Sequence, residues 1–480
     1  MTSDHARDMG SQVQRLALNA VALVAGGIVA QLVFTLLEVL VARKLGAEAY
    51  GVFVTAYSWS LLGSVLMGLG TAMWTIQEGS RDHARIPGLL GAGLAVNLLV
   101  FGALYGLLVL ANFGFPPNPV LSLMLLILPY GLILALQTTL GSYYSCYETM
   151  HANAFFQGVA PVAVLVFYFV YSANGLSLPD VAYAYVAGAG LVTGIWVAWT
   201  LRQVRPRVSA GSIREVLKSS NQYALSNLLG MAYFRVDVIM ISALAGIYEA
   251  GIYAAAFKLV ELVSKVAVVA GRVFAPAIFK ASHAPGKAYT VLVSMMTRFM
   301  AIAGLVAGVA AFILAEDLVL LLFGDKYAAS VPILRILAGV MATRCMMVAM
   351  QLLMSSVDLH FQRVAALGTT VAAHVAANAV LIPMFGAEGA AWAALFSSTL
   401  LIFLYGFSSR GRQFDFQRWL LLPSVLAAIV AVAALLTEAN ALVSAVVSVS
   451  VFLAGLLATG FVRRDEIRFV LRAVRPNGLR

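Results

Sequence analysis

Long apolar segments separated by short polar connections recur along the whole chain. About fourteen of them reach the roughly 20 residues that a helix needs to cross the hydrocarbon core of a bilayer. They are continuous runs rather than ten-residue alternations, so the pattern predicts helices and not a β-barrel. Stretches rich in Gly, Pro, Asn and Ser interrupt the pattern at 112–119, 172–180 and 282–287. The predicted segments are 16–42, 51–76, 88–111, 120–145, 154–172, 181–201, 221–244, 250–271, 299–323, 329–354, 364–383, 388–408, 419–436 and 441–462.

Composition excludes a soluble fold. The chain has 480 residues, of which 62% are hydrophobic and only 11% are charged. Soluble domains are about 25% charged, because a water-exposed surface of this size needs charge. The first segment, 16–42, is too long for the apolar core of a cleavable signal peptide. We therefore expect it to be the first transmembrane helix of an all-α polytopic membrane protein.

Lys and Arg residues are distributed unequally between the two predicted sides of the membrane. With the N-terminus in the cytoplasm, the outer loops hold only Arg43, Lys44 and Lys326, and most other basic residues fall in inner loops and tails. Positive charge concentrates in cytoplasmic loops, so we expect both termini in the cytoplasm. The net charge of +10 then reflects topology rather than nucleic-acid binding. The tail 462–480 fits either a basic amphipathic helix on the inner leaflet or a solvated tail.

An internal repeat divides the chain into two halves. LGAEAYGVFVTA at 45–56 aligns without gaps on AGIYEAGIYAAA at 245–256. Gly46, Gly51 and Ala56 coincide with identical residues. Both stretches form the outer turn between the first two helices of a set, which predicts two parallel six-helix lobes around a central cavity. The predicted domains are an N-terminal lobe (1–201), a cytoplasmic linker (202–220), a C-terminal lobe (221–408), and a last helix pair with a basic tail (409–480).

Charged residues occur inside several of the apolar segments. Arg235 and Asp237 lie within segment 7, although a charge at the bilayer centre costs about 2.5–3.5 kcal/mol. Lys258, Glu261 and Lys265 follow on segment 8 at positions i, i+3 and i+7, on one face of a helix. With a rise of about 1.5 Å per residue, Arg235 and Asp237 on segment 7 and Lys258 and Glu261 on segment 8 all lie roughly 15–20 Å below the outer turn.

Two further deep charges extend this set. Glu38 on segment 1 lies at nearly the depth of Asp237 when each is counted from its own outer turn, and Arg344 lies on segment 10. Two interpretations are open: buried ion pairs that fix helix packing, and a polar cavity for a substrate or ion. The number of charges at one level favours the cavity. The predicted cavity residues are Glu38, Arg235, Asp237, Lys258, Glu261, Lys265 and Arg344.

Other residues have simpler interpretations. Arg335 near the outer end of segment 10 is typical of an interfacial arginine, and His374 is expected to pack rather than relay protons. Cys146 and Cys345 lie far apart in apolar surroundings and lack metal or redox spacing. The glycine-rich face GAGLVTG at 188–194 suits close helix packing. No catalytic or nucleotide-binding motif occurs, which argues against an enzyme, and no metal site is predicted.

Four stretches of the chain carry a family resemblance. They are LGAEAYGVFVTAYSWSLLGSVLMGLGTAM (45–73), FRVDVIMISALAGIYEAGIYAAAFKLVELV (234–263), FGDKYAASVPILRILA (323–338) and NAVLIPMFGAEGAAWAALFSSTL (378–400). Together they resemble the polysaccharide-transporter branch of the multidrug/oligosaccharidyl-lipid/polysaccharide (MOP) exporter superfamily, the Wzx-type flippases. The Arg-x-Asp sequence followed by a Gly-x-Tyr turn is the most specific part, and the resemblance extends from segment 1 through segment 12.

The resemblance implies two six-helix lobes around a cavity that opens to one side of the membrane at a time. It implies transfer of an undecaprenyl-pyrophosphate-linked oligosaccharide from the inner to the outer leaflet of a bacterial cytoplasmic membrane. In related flippases, cationic residues on helices equivalent to segments 1, 2, 7 and 8 meet the pyrophosphate. That function carries over only to Arg235, with Asp237, Lys258 and Glu261 as neighbours. Polysaccharide polymerases and glycosyltransferases are the expected partners, for example in O-antigen or exopolysaccharide synthesis.

No cofactor is expected, but acidic residues such as Glu38, Asp237 and Glu261 could take up H⁺ or Na⁺ and couple transport to an ion gradient. The last helix pair looks like that of peptidoglycan-precursor flippases, which keeps that group open as the subfamily. A multidrug antiporter of the same superfamily should have an acid-dominated cavity, whereas the deep bases here favour an anionic substrate. A membrane glycosyltransferase or polymerase should show a long extracytoplasmic loop, and this chain has none. A scaffold without transport predicts that neutralising the deep charges affects folding only.

Overall fold

The computed structural model describes residues 27, 29–173, 175–282, 287–409, 426–427, 429–430 and 441–458. Within these ranges the regular structure is helical throughout, without a strand, which confirms the predicted all-α polytopic fold. Nine helices in this part of the chain are long and apolar enough to cross a membrane. The start of segment 16–42, most of 419–436 and the tail 462–480 lie outside the described residues.

The described helices follow one another with short connections. Two 3₁₀ turns, His83–Arg85 and Asp325–Tyr327, lie between them. In chain order the helices are α1 (29–45), α2 (Ala47–Gly68), α3 (Thr71–Gly79), α4 (Ile86–Gly114), α5 (Pro119–Cys146), α6 (Met150–Ser172), α7 (Leu178–Gln203), α8 (Ala210–Ser219), α9 (Asn221–Leu244), α10 (Ile247–Ser282), α11 (Lys287–Ile313), α12 (Ala315–Phe323), α13 (Ser330–Ser356), α14 (His360–Ser408) and α15 (Ala441–Ala458).

The predicted breaks at 112–119 and 172–180 are confirmed, and polar side chains cap the helices that follow them. Most of the break predicted at 282–287 lies outside the described residues. The side chain of Asn118 accepts a hydrogen bond from the backbone N–H of Val120 at 2.8 Å. Pro119, which has no N–H to satisfy, occupies the first position of α5. Before α7, the carboxylate of Asp180 accepts the backbone N–H of Ser177 at 2.9 Å. These caps satisfy donors that the first turn of a helix leaves unpaired.

Segment 51–76 was predicted as one helix, but the structure divides it into α2 and α3. The break is at Leu69 and Gly70, whose φ angles of 42° and 72° are left-handed. A methyl group on Gly70 would lie 2.6 Å from the backbone nitrogen of Ala224 at the start of α9. The hydropathy pattern of the sequence does not reveal this break, because the residues on both sides of it are mostly apolar.

Segments 364–383 and 388–408 were predicted as separate helices, and they form one helical run, α14. The run is interrupted by Gly386, which has φ 59° and ψ −136°. Only glycine adopts such backbone angles readily, so this residue turns the chain without an intervening loop. The break at Gly386 lies between the two predicted segments, and their count as two membrane spans stays a prediction.

The predicted cytoplasmic linker, 202–220, contains a helix that the sequence reasoning missed. The hydroxyl of Ser209 accepts the backbone N–H of Ser212 at 3.0 Å and caps α8. Val216 is fully buried against Leu89 of α4. A ten-residue amphipathic helix lying on a protein surface is too short and too polar for a search based on membrane spans.

The described residues divide into two compact units. The first unit contains the described residues up to Ala254 together with Asn378–Ala387, and there α2 packs against α5 and α9 while α6 packs against α7. The second unit contains the described residues of Ala255–Ala377 and those from Glu388 onward, and there α11 packs against α13 and α15. The predicted lobe boundaries, 1–201 and 221–408, stay a prediction.

The glycine-rich face at 188–194 packs as predicted at one of its glycines. A methyl group on Gly188 of α7 would lie 2.6 Å from the Cα atom of Val164 on α6. In contrast, a methyl group on Gly194 would meet nothing within 4 Å. Gly188 therefore allows the two backbones to touch, as small residues do between membrane helices.

Replacing Gly188 by alanine should destabilise the protein by about 1–3 kcal/mol, because the added methyl group has no space against α6. Gly194→Ala is the matched control, and its thermal unfolding temperature should stay unchanged or rise slightly. Differential scanning fluorimetry of the detergent-purified variants measures both. Equal unfolding temperatures for the two variants would contradict the assignment.

Candidate functional site

Glu38 is buried in the first unit beside a group of aromatic side chains. The hydroxyl of Tyr50 donates a long hydrogen bond of 3.4 Å to Glu38 Oε2. A carboxylate inside a helical bundle requires such polar neighbours, because burial without a hydrogen bond is costly. The rings come from α1, α2, α5 and α7 and form a network of edge-on, stacked and tilted contacts. We call these residues the tyrosine cluster: Phe34, Tyr50, Phe53, Tyr57, Tyr130 and Tyr185.

Arg235 on α9 lies against the tyrosine cluster. Its guanidinium carbon is 5.7 Å from the centre of the Tyr57 ring, within the range of a cation–π interaction. Arg235 is half-buried, whereas the rings beside it are buried. The structure thus brings a base and an acid, from helices about 200 residues apart in sequence, to the same aromatic group.

Asp237 is held by two neutral donors in the first unit. Asn378 Nδ2 of α14 donates to one carboxylate oxygen at 2.7 Å, and the hydroxyl of Tyr253 on α10 donates to the other at 2.8 Å. The Asp237 side chain is almost completely buried. Hydrogen bonds to an ionised group are stronger than those between neutral groups. Asp237 therefore ties α9, α10 and α14 together, which favours a packing function for this residue.

The predicted stripe on α10 lies in the second unit, and two of its residues form a buried ion pair. Lys258 Nζ is 2.5 Å from Glu261 Oε2, and the two side chains are only 6% and 10% exposed. Lys265, one turn further along α10, is exposed. The structure therefore brings Lys258 and Glu261 together, while Lys265 occupies a different environment on the same helix.

Arg344 is the remaining predicted cavity residue. It is buried on α13 in the second unit, and its guanidinium carbon lies 5.2 Å from the centre of the Phe257 ring of α10. As with Arg235 and Tyr57, an arginine rests on an aromatic face. The predicted cavity that would connect all of these charges stays a prediction.

The structure also places the residues with simpler interpretations. His374 is buried, and its Nδ1 donates to the backbone carbonyl of Ala393 at 3.2 Å. Cys146 and Cys345 are free, buried thiols. Arg335 is half-buried near the start of α13.

Sequence reasoning missed the neutral partners of the charged residues. Tyr57, Tyr130 and Tyr185 lie in three different apolar segments, and Asn378 is a polar residue within a fourth. A buried tyrosine hydroxyl or amide needs a hydrogen-bond partner, so each of these residues was a usable signal. Nothing local in the sequence shows which charge such a residue faces.

The fold and these intramembrane charges define a multi-helix membrane protein of the transporter class. A family model described as "Polysaccharide biosynthesis protein" matches residues 16–282, and the chain belongs to this family. The predicted membership of the polysaccharide-transporter branch of the MOP superfamily is confirmed. A comparison with curated protein sequences finds no match.

Solved structures support the same fold at low sequence identity. The lipid II flippase MurJ in an inward closed conformation superimposes with a TM-score of 0.72 and 13% identity, covering 94% of this chain and all of that one. An inward-facing multidrug resistance MATE family transporter of the MOP superfamily gives a TM-score of 0.62 and 12% identity, over 83% of this chain and 99% of the other. A MOP superfamily transporter from Pyrococcus furiosus gives 0.62 and 12%, over 83% and 96%.

We expect Asn378→Leu and Tyr253→Phe each to lower the stability of the protein. Each substitution removes one hydrogen bond to the buried carboxylate of Asp237, and such bonds contribute about 1.5–3 kcal/mol. Tyr248→Phe, at an exposed tyrosine on the same helix as Tyr253, is the control. Thermal unfolding in detergent measures the effect, and a Tyr253→Phe variant as stable as Tyr248→Phe would show that the bond is unimportant.

The ion pair on α10 should behave as a coupled unit. Lys258→Met alone leaves the Glu261 carboxylate without its ammonium partner, and breaking a buried pair costs about 3–5 kcal/mol. The double variant Lys258→Met/Glu261→Leu should be more stable than this single variant, because both charges are gone.

The control for this pair is Lys265→Met at the exposed position on the same helix, which should change stability little. Size-exclusion chromatography after a heating step measures the fraction of protein that stays monodisperse. The coupling would be contradicted if the loss in the double variant equalled the sum of the losses in Lys258→Met and Glu261→Leu measured separately.

Proposed function

We propose that this protein is a flippase for undecaprenyl-pyrophosphate-linked oligosaccharide, the precursor of a surface polysaccharide. It moves this lipid from the inner to the outer leaflet of a bacterial cytoplasmic membrane by alternating access, with both of its own termini in the cytoplasm. Membership of the polysaccharide biosynthesis family supports the substrate class, and the likeness to a lipid II flippase supports the architecture. Polysaccharide polymerases and glycosyltransferases would act before and after it, and the protein itself is not an enzyme.

The position of Arg235 is the observation that carries this proposal. It is an intramembrane arginine that is half-buried and rests on the ring of Tyr57. A diphosphate does not cross hydrocarbon unaided, because burying an unpaired ion is very costly. The planar guanidinium fork matches phosphate oxygens, and an aromatic face beneath it holds the fork in one plane. The lipid tail can stay in the bilayer while the headgroup passes through the protein.

Coupling to an H⁺ or Na⁺ gradient is a second part of the proposal. Among the acidic residues Glu38, Asp237 and Glu261, we assign this coupling to Glu38. Asp237 accepts from Asn378 and Tyr253, and Glu261 is paired with Lys258. The hydroxyl of Tyr50 is hydrogen-bonded to Glu38, and a hydroxyl can donate to a carboxylate or accept from a carboxylic acid.

A peptidoglycan-precursor flippase is the second candidate. The superposition on MurJ covers 94% of this chain, compared with 83% for the MATE transporters. Both lipid-linked substrates carry the same pyrophosphate, so Arg235 serves either one, and the glycan distinguishes them. A multidrug antiporter remains the alternative if the transported molecule is a cation.

Arg235→Gln should lower the rate of lipid-linked oligosaccharide translocation by at least about tenfold, because a charge-assisted contact to phosphate contributes about 1.5–3 kcal/mol. Arg235→Lys keeps the charge but loses the planar fork, and an intermediate rate is expected. Proteoliposomes that contain a fluorescent undecaprenyl-pyrophosphate oligosaccharide measure the rate through quenching by a reductant in the outer solution.

The matched control is Arg335→Gln, which removes a half-buried arginine of α13 and should leave the rate unchanged. Replacing the substrate by a lipid-linked peptidoglycan precursor, or by a cationic dye, tests the two alternatives in the same vesicles. Wild-type translocation by folded Arg235→Gln protein would overturn the proposal.

A further inference from the structure

The short helix α8 is held on the first turns of α4 by its apolar side. Val216 and Ile213, three positions apart and therefore neighbours on the helix, pack against the cluster that contains Leu89 and Ala92 of α4. Val216 is fully buried there. The apolar side of this amphipathic helix is thus used against the protein, and its remaining sides face outward.

Polar and backbone contacts fix the rotation and the height of α8 on α4. The guanidinium of Arg85, just before α4, forms an ion pair with the carboxylate of Glu215. Ahead of α8, the backbone N–H of Arg207 donates to the backbone carbonyl of Pro87 at 2.8 Å. A methyl group on Gly91 would lie 2.3 Å from the carbonyl oxygen of Arg207, so the two backbones touch. These contacts hold α8 in one orientation.

One outward side of α8 combines two bases with an exposed leucine. Arg214, Leu217 and Lys218 occupy positions i, i+3 and i+4, so their side chains are neighbours, and we call them the basic stripe. All three are exposed, and Leu217 is 43% exposed. Glu215 lies two positions from Leu217, about 200° around the helix, where it is paired with Arg85. The acid therefore does not neutralise the two bases.

The place of α8 along α4 corresponds to the surface of the membrane. Ala92, which α8 covers, lies only about 6 Å along the helix from the predicted start of segment 3 at residue 88. Leu99 lies two turns further along nearly the same side of α4, about 10 Å away, and is 65% exposed. Since α4 is long and apolar enough to cross a membrane, an exposed leucine at that depth faces acyl chains. The basic stripe accordingly lies at the level of the lipid headgroups.

We infer that the basic stripe is a docking surface for anionic phospholipids. Arg214 and Lys218 bind headgroup phosphates, and Leu217 lies among the first carbons of the acyl chains. Guanidinium and ammonium groups bind phosphate, while their aliphatic stems lie along apolar surface. Basic residues beside exposed apolar ones favour an anionic membrane surface. The apolar member and the depth of the stripe favour a lipid over an acidic protein partner.

This docking surface has a consequence for the linker between the two predicted lobes. Because α8 belongs to that linker, a phospholipid on the basic stripe ties the linker to the inner leaflet. The ion pair between Arg85 and Glu215 is a positioning contact, since it turns the acid away from the lipid and the bases toward it. The inference holds whichever lipid-linked substrate the protein transports.

A fluorophore on the same side of α8 measures contact with a chosen lipid. Gly211→Cys, three positions before Arg214, is exposed and has space for a side chain. The background replaces Cys146 and Cys345 by alanine, and the bimane-labelled protein is reconstituted in phosphatidylcholine bilayers. Equal small fractions of phosphatidylglycerol or phosphatidylcholine, each with a nitroxide near the headgroup end of an acyl chain, serve as quenchers. Phosphatidylglycerol should quench at a concentration about tenfold lower.

Arg214→Gln/Lys218→Gln should lower this preference for phosphatidylglycerol by at least about tenfold, because each base near an anionic surface contributes to the affinity. Added salt should lower it in the parent protein. The matched control is Arg272→Gln/Lys280→Gln, which removes two exposed bases of α10 and should leave the preference unchanged.

The positioning function of the ion pair has its own test. Arg85→Gln should lower the preference for phosphatidylglycerol less than the double variant of the stripe does, because α8 can then rotate on α4. Arg85→Lys keeps a positive charge opposite Glu215 and should restore the preference. A loss of equal size in both variants at position 85 would overturn this function.

Equal quenching by the two lipids in the parent protein would overturn the docking surface. The same loss of preference in the control pair would also overturn it, since the effect would then be one of overall charge. Quenching by neither lipid would place α8 away from the bilayer and make an acidic protein surface the better partner.

Discussion

A charged side chain inside a membrane must obtain its partners from the protein, because the lipid tails offer none. Asp237 obtains them from Asn378 and Tyr253, and Lys258 obtains one from Glu261 on its own helix. Arg235 and Arg344 rest on aromatic faces.

The same environment explains why glycine is important in this fold. Helices surrounded by lipid gain nothing from hydrophobic burial against each other, so they depend on close packing of small residues. Gly188 brings α7 onto α6, and Gly51 and Gly251 bring α2 onto α10. The first contact is internal to one set of helices, whereas the second joins equivalent parts of the repeat. Close backbone contact at glycine thus brings helices together both within one set and between equivalent parts of the repeat.

The charged residues of the candidate site could be predicted from sequence, but the neutral residues that contact them could not. The deep charges were found because an ionised residue in an apolar run is conspicuous. Their partners were not found, because a neutral tyrosine or asparagine does not show which charge it faces, and Asn378 lies 141 residues from Asp237. Proximity along one helix could be predicted from residue spacing, and Lys258 and Glu261, at i and i+3, do form an ion pair.

The class of protein and the breaks at 112–119 and 172–180 could be read from the sequence alone, because hydropathy and turn chemistry are local sums over neighbouring residues. The sequence also determined the repeat that relates Gly51 to Gly251. Only the tertiary structure decided where helices break within apolar sequence, as at Gly386, and which partners satisfy Asp237. Both depend on atoms that folding brings from distant parts of the chain, and no local pattern contains that information.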